Sequence, residues 1–149
     1  MRIRTLLLVA GMGLAGLSAC INLDDGDYLT LQEQLELDVK AIDAYLDSNG
    51  IDASEHSSGL RYVISDPGQG DSVYDSNTIV VKYVGKKIAD GSIIDKAESA
   101  TFVLNELIIG WRIGIPLIRK GGKITLYIPR IYAYGRDNLM FDIELLDVK

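Results

Sequence analysis

The chain has 149 residues, 48% of them apolar, with a net charge of −6 at pH 7 and a mean hydropathy of +0.15. That length suits one domain with a real core, and the acidic surplus argues against nucleic acid as a partner. A single His, His56, and a single Cys, Cys20, leave no credible shared metal site, no Ser-His-Asp or Cys-His centre and no internal disulfide, so neither metal nor cofactor is called for.

Residues 1–19 read as a secretory signal. Arg2 and Arg4 give a basic start, and Leu6 to Leu17 is an apolar run too short to span a bilayer comfortably. Leu17-Ser18-Ala19-Cys20 resembles the bacterial lipobox, in which cleavage falls just before the cysteine and the cysteine is then acylated. Cys20 is therefore the predicted lipidation site. Removing nineteen residues leaves 130, and losing Arg2 and Arg4 takes the charge from −6 to −8. The anchor would be lipid alone, at ~0.8 kcal/mol per buried CH₂, with Ile21 to Asp27 as a short acidic tether.

Thr30 with Glu33 forms a capping-box pattern, and Leu31, Leu35, Val39, Ile42 and Leu46 trace one apolar stripe at helical spacing. Asn49-Gly50 is a stop signal. The spacing predicts an amphipathic helix over 31–48, whose stripe packs either on the following domain or on a partner chain, for example in a homodimer. Residues 51–59 read as a polar connector with His56 as a solvated loop residue.

Short strands follow: Leu60 to Ile64, Thr78 to Gly85, then Ser92 to Asp95 after an Asp90-Gly91 turn, and Thr101 to Leu104. Trp111, Ile115 and Ile118 stand at offsets 0, 4 and 7, one face of a short helix. Lys120-Gly121-Gly122-Lys123 is a turn with glycines where positive φ is cheap. Ile124 to Ile128 alternates as a strand that Pro129 ends, and Leu139 to Val148 is the last strand. The class is α+β, an antiparallel sheet around a short helix, preceded by the amphipathic helix. The division is 1–19 signal, 20–58 acylated tether and helix, and 59–149 the main domain. Trp111 and Tyr134 could face one apolar hollow, or both could be core.

Several motifs occur together and in order: Val80-Val81-Lys82-Tyr83-Val84-Gly85, Asp90-Gly91-Ser92-Ile93-Ile94-Asp95, Gly110-Trp111, Lys120 to Lys123, Ile128-Pro129, Tyr132-Ala133-Tyr134-Gly135 and Phe141 to Leu146. In this order and spacing, residues 59–149 resemble the FKBP-type peptidyl-prolyl cis-trans isomerases. With the signal, lipobox and leading helix, the chain is similar to the lipoprotein FKBPs of Bacteroidetes-type bacteria. The resemblance implies an FKBP-like fold and a rotamase assisting the folding of envelope or exported proteins. Its partners would be proline-containing polypeptides, held outside the cytoplasm on a bacterial membrane.

Residue by residue, the resemblance makes Tyr83 the pocket tyrosine and Asp95 the aspartate of the family's F-D pair, where it could hold a tyrosine or polarise the site. Trp111 becomes the floor and Tyr134 the hydroxyl donor at the rim. Leu107 and Ile108 match the pair before the helix, whose second N–H holds a ligand carbonyl. Phe102 and Phe141 match strand aromatics, and Leu107, Trp111 and Phe141 would wall the proline ring. Such chemistry needs no nucleophile, because the reaction is rotation about a partly double C–N bond with a barrier of ~18–20 kcal/mol. An apolar pocket favours the twisted, less polar state over the planar amide.

Three departures stand against full activity. Ile94 replaces the aromatic of the F-D pair. Ala100 stands where another aromatic is common. Only Arg136 to Met140 separate Gly135 from Phe141, where the family has a longer loop that closes over proline. The resemblance with these departures implies weak or narrow activity. The alternative is an inactive FKBP-fold module that binds peptides or chaperones them.

Overall fold

The computed structural model describes residues 28–149. The signal and Cys20 lie outside the described residues.

Helix α1 (Leu31–Ser48) begins where the capping box predicts. The Glu33 N–H donates to Thr30 Oγ1 at 3.2 Å, and the Thr30 N–H donates back to Glu33 Oε2 at 2.8 Å. At the other end, Asn49 Nδ2 donates to the Tyr45 carbonyl at 2.8 Å. Only the C-terminal half of the apolar stripe is buried. Ile42 and Leu46 pack with Tyr127, Val63 and Met140 of the same domain, whereas Leu31 is 79% exposed. Charge adds a second tie. Arg61, buried at the start of strand β2 (Arg61–Asp66), donates through Nε and Nη2 to the two oxygens of Asp43 at 2.8 and 3.0 Å. Its Nη1 reaches the Gly59 carbonyl. A two-pronged guanidinium–carboxylate pair fixes direction as well as distance, so α1 is seated in one register on its own sheet.

The sheet is antiparallel throughout, in the order β1-β2-β5-β6-β3-β4. Its other strands are β1 (Ser54–Glu55), β3 (Thr78–Lys87), β4 (Ile93–Val103), β5 (Lys123–Ile128) and β6 (Leu139–Val148). Alternation along β5 divides the molecule into two cores. Ile124, Leu126 and Ile128 face one side with Trp111, and Tyr127 faces α1 on the other.

Four local expectations are corrected. The connector at 51–59 contains β1, and His56 is half-buried in a turn, its Nδ1 accepting from the Ser58 N–H at 3.1 Å. The two strands expected at 92–95 and 101–104 are one eleven-residue strand, β4. Its centre, Lys96 to Ala100, lacks β-branched residues because β4 is the sheet edge. Register shifts there and at Ile94 bend it, as edges tolerate. Helix α2 (Ile109–Gly114) stops before Ile118: Pro116 cannot donate to an α ladder, and a 3₁₀ turn, Ile115–Leu117, takes over. Ile118 is buried from extended backbone rather than from a helix face. In the 120–123 turn only Gly121 has positive φ, +88°; at Gly122 a Cβ would lie 2.8 Å from the Arg119 carbonyl oxygen, so close approach sets that residue.

Candidate functional site

The site is built on the short helix. Trp111, in the single α-helical turn and a half of α2, is 4% exposed and stands between the helix and the sheet. Three aromatic rings meet it at near right angles. Tyr83 from β3 lies 5.1 Å away between centroids, Phe141 from β6 5.3 Å and Phe102 from β4 6.0 Å, with interplanar angles of 83°, 87° and 83°. Edge-to-face geometry puts positive ring edges against negative faces. Gly85 makes room for this box: a Cβ there would lie 2.4 Å from Phe141 Cε1, so only glycine in β3 lets that ring lie across the strand.

Above the indole lies a hollow of about 120 Å³, lined by Tyr83, Asp95, Phe102, Leu107, Ile108, Trp111, Tyr134 and Phe141. Drug-sized ligand pockets are roughly 300–1,000 Å³. This one admits a single small ring. Eight of the predicted pocket residues thus converge. Ile94 does not line the hollow; it is the extra residue at a register shift of β4 opposite Gly85 and Lys86, and is 38% exposed. The bulge that bends the edge strand moves Ile94 off the position its sequence neighbour Asp95 keeps.

The polar groups fall into two sets. One is closed: the Tyr83 hydroxyl donates to Asp95 Oδ2 at 2.7 Å, and Asp95 Oδ1 accepts from the Lys96 N–H at 2.9 Å. Asp95 thus accepts from a pocket tyrosine through one oxygen and from the backbone through the other. Burial pushes the Tyr83 phenol up to about 12, helped by the hydrogen bond to Asp95 and by its charge. The other set is open. Among the described residues the Ile108 N–H and the Tyr134 hydroxyl donate to no protein acceptor, and the Trp111 Nε1 is buried without a partner. Ile108 precedes the first turn of α2, where backbone N–H groups lack intrahelical partners. Tyr134 is 66% exposed and stands at the rim.

The phenol shift carries a sign. A tyrosine that loses its proton at about 10 when unfolded and about 12 when folded stabilises the fold below pH 10. That contribution is lost as pH rises from 10 through 12. We expect stability in urea to fall across that window, and the fall to be shallower in Tyr83→Phe; burial raises the Tyr127 phenol as well, so a residual slope remains.

Sequence reading did not single out the groups that hold the rim. The Tyr132 hydroxyl donates to the Ser58 carbonyl at 2.9 Å, tying the Tyr132–Tyr134 segment back to the connector. A larger hollow of about 220 Å³ on the α1 side of the sheet, lined by Lys82, Thr125, Asp142 and Glu144 among others, is a poorer candidate. Its charged groups have partners, Lys123 with Glu144 at 3.9 Å, Asp142 with Thr125 at 2.7 Å and Lys82 with Glu98 outside the lining at 2.6 Å, and it lacks an aromatic box.

Comparison with known proteins agrees with this fold. The family model for FKBP-type peptidyl-prolyl cis-trans isomerase matches residues 70–146. The FKBP-type peptidyl-prolyl cis-trans isomerase FkpA of Escherichia coli K12 is 42% identical over 106 residues, covering 62% of this chain and 39% of that protein. A probable FKBP-type peptidyl-prolyl cis-trans isomerase of Haemophilus influenzae is 35% identical over 115 residues, covering 68% of this chain and 47% of that one. The chain thus spans less than half the length of these curated relatives. Among solved structures, FkpA from Escherichia coli superposes with a TM-score of 0.66 at 36% identity, covering 79% of this chain and 64% of the other. A peptidyl-prolyl cis-trans isomerase from Pseudomonas syringae superposes with a TM-score of 0.64 at 28% identity, covering 76% and 95%. With a six-stranded antiparallel sheet closed over one short helix and the family's model matched across the strands that carry the aromatic box, the chain belongs to the FKBP-type peptidyl-prolyl cis-trans isomerase family.

Proposed function

We propose that this protein catalyses cis-trans isomerisation of Xaa-Pro bonds in polypeptides, with the proline ring seated on Trp111. The observation that carries the reading is one apolar box of single-ring size with two unpartnered donors beside it, the Ile108 N–H and the Tyr134 hydroxyl. Leu107, Trp111, Phe102 and Phe141 enclose the ring, and the two donors orient the flanking carbonyls. Desolvating the planar amide raises it relative to the twisted state, in which the carbonyl is less polar. Tyr83, held by Asp95, shapes the wall and keeps its proton.

The activity is weak, because Gly135 and Phe141 are joined by only five residues, Arg136 to Met140, and the rim tyrosine is two-thirds exposed. Water reaches the hollow that a longer loop would close. The signal-like start and the lipobox-like Cys20 support an anchor of acyl chains in a bacterial envelope membrane, with exported proline-containing polypeptides as clients and no nucleic acid. A homodimer through helix 31–48 would have to use the exposed Leu31 and Leu37, with Tyr28 and Leu29 just before the helix, since Ile42 and Leu46 already serve their own sheet.

The same openness favours a second reading, a module that holds proline segments without turning them. Relaxation of a cis-enriched Xaa-Pro peptide separates the two. We expect acceleration by the protein, reduced about two- to tenfold in Tyr134→Phe, the worth of one hydrogen bond of ~0.5–1.5 kcal/mol. Binding without acceleration would leave the holding module instead.

A further inference from the structure

We infer that Asp38 of α1 is a positioning residue for this site, acting through Arg130 and Asn138 to hold the rim segment that carries Tyr134; the inference rests on the isomerase reading above. Asp38 is 2% exposed in an otherwise apolar helix face, an expensive place for a carboxylate. Its Oδ1 accepts from Arg130 Nε at 2.8 Å and from Gln34 Nε2 at 2.9 Å, while Oδ2 has no partner among the described residues. Arg130 lies in the 3₁₀ turn Arg130–Tyr132 just after β5, ninety-two residues away in sequence.

The clamp continues through the backbone. The Arg130 N–H donates to Asn138 Oδ1 at 2.9 Å, and Asn138 Nδ2 lies 3.5 Å from the carbonyl of Asp38 itself. The Arg130 carbonyl accepts from the Ala133 N–H at 3.1 Å and the Gly135 N–H at 2.9 Å. Both ends of the short rim segment, 130 and 138, are therefore fastened to one carboxylate-bearing turn of α1, and Tyr134 sits between the two amides that Arg130 holds. Among the described residues Tyr134 makes no hydrogen bond of its own to fix it, so its place depends on this frame. The leading helix is then part of the site's architecture as well as a spacer. A buried charge retained where an apolar side chain would pack is explained by the register it imposes.

Two measurements test this. In the first, amide exchange is followed in the parent, in Asp38→Ala, and in Asn138→Ala, which breaks the frame without touching the buried carboxylate. We expect Ala133 and Gly135 to exchange at least about tenfold faster in both variants while Ile143 and Leu145 of β6 change far less. Uniform acceleration, or none at the rim, overturns the inference. In the second, each variant is combined with Tyr134→Phe. If the frame acts by placing the Tyr134 hydroxyl, Asp38→Ala lowers kcat/KM in the parent by most of the loss that Tyr134→Phe alone produces, but less than about twofold once that hydroxyl is gone. Equal losses in both backgrounds would mean a merely structural role and overturn it. A parent that turns no peptide sinks the isomerase reading alone. The cycle is then read on the Kd of a proline peptide from Trp111 fluorescence, and the rim amides still decide the inference.

Discussion

Trp111→Leu should lower the unfolding free energy by about 2–4 kcal/mol and reduce kcat/KM for Xaa-Pro peptides at least about tenfold. The indole meets Tyr83, Phe102 and Phe141 each edge-on, whereas Tyr83 meets the two phenylalanines only at tilted angles. Such contacts contribute ~0.5–1.5 kcal/mol apiece beyond area burial, and leucine keeps much of the apolar area while losing all three. The remaining cost is the space left beneath the hollow, which the sheet cannot close because Ile124, Leu126 and Ile128 are already packed. Urea denaturation gives the first number and peptide kinetics the second. Trp111→Phe should recover part of both, since a smaller ring still offers an edge and a face. A stability change below about 1 kcal/mol would mean that the aromatic box is looser than its geometry indicates.

Gly68→Ala should destabilise the fold by about 2–5 kcal/mol without touching the hollow. Two costs add. Gly68 has φ +73°, a conformation that costs a residue with a Cβ ~1–2 kcal/mol. The new Cβ would also lie 2.4 Å from the Arg119 carbonyl oxygen and 2.8 Å from the Gly122 nitrogen, both backbone atoms that cannot rotate away. Forcing them apart adds ~1–3 kcal/mol. The turn is worth that much because it stitches distant segments: the Arg119 N–H donates to the Pro67 carbonyl at 2.8 Å, and the Gly70 N–H to the Lys120 carbonyl at 3.1 Å. Gly91→Ala is the control. Its φ is also +73° but nothing lies within 4 Å of the added Cβ, so only the conformational cost of ~1–2 kcal/mol is expected. Similar losses at the two positions would remove the steric half of the explanation.

The pattern of what the chain betrayed has physical causes. Helix α1 was legible to the residue because a capping box and an Asn-Gly stop are local signals written in side chains next to the bonds they make. The aromatic box was legible through family motifs: Tyr83, Trp111 and Phe141 come from three elements, and no periodicity in one segment predicts that their rings meet. Strand β4 was half legible, since an edge strand has no need of the β-branched run that marks a central one. Ile94 was misplaced because a bulge changes the count between two strands, which only the paired register reveals. The Asp38–Arg130 pair was invisible for a simpler reason. An aspartate one turn before Ile42 looks like the polar edge of an amphipathic helix until its partner, from the far end of the chain, is seen against it.

On the function proposed above, an Xaa-Pro bond turns in the hollow between α2 and the sheet. Exchange spectroscopy on a short Xaa-Pro peptide, recorded with a labelled sample of the protein, tests this most directly. We expect cis-trans exchange much faster than the uncatalysed time of tens to hundreds of seconds, together with peptide-dependent shifts of the Ile108 amide and the Trp111 indole N–H. Accelerated exchange with those two signals unmoved would put the chemistry elsewhere on the protein, and unchanged exchange from a folded sample would contradict the isomerase assignment.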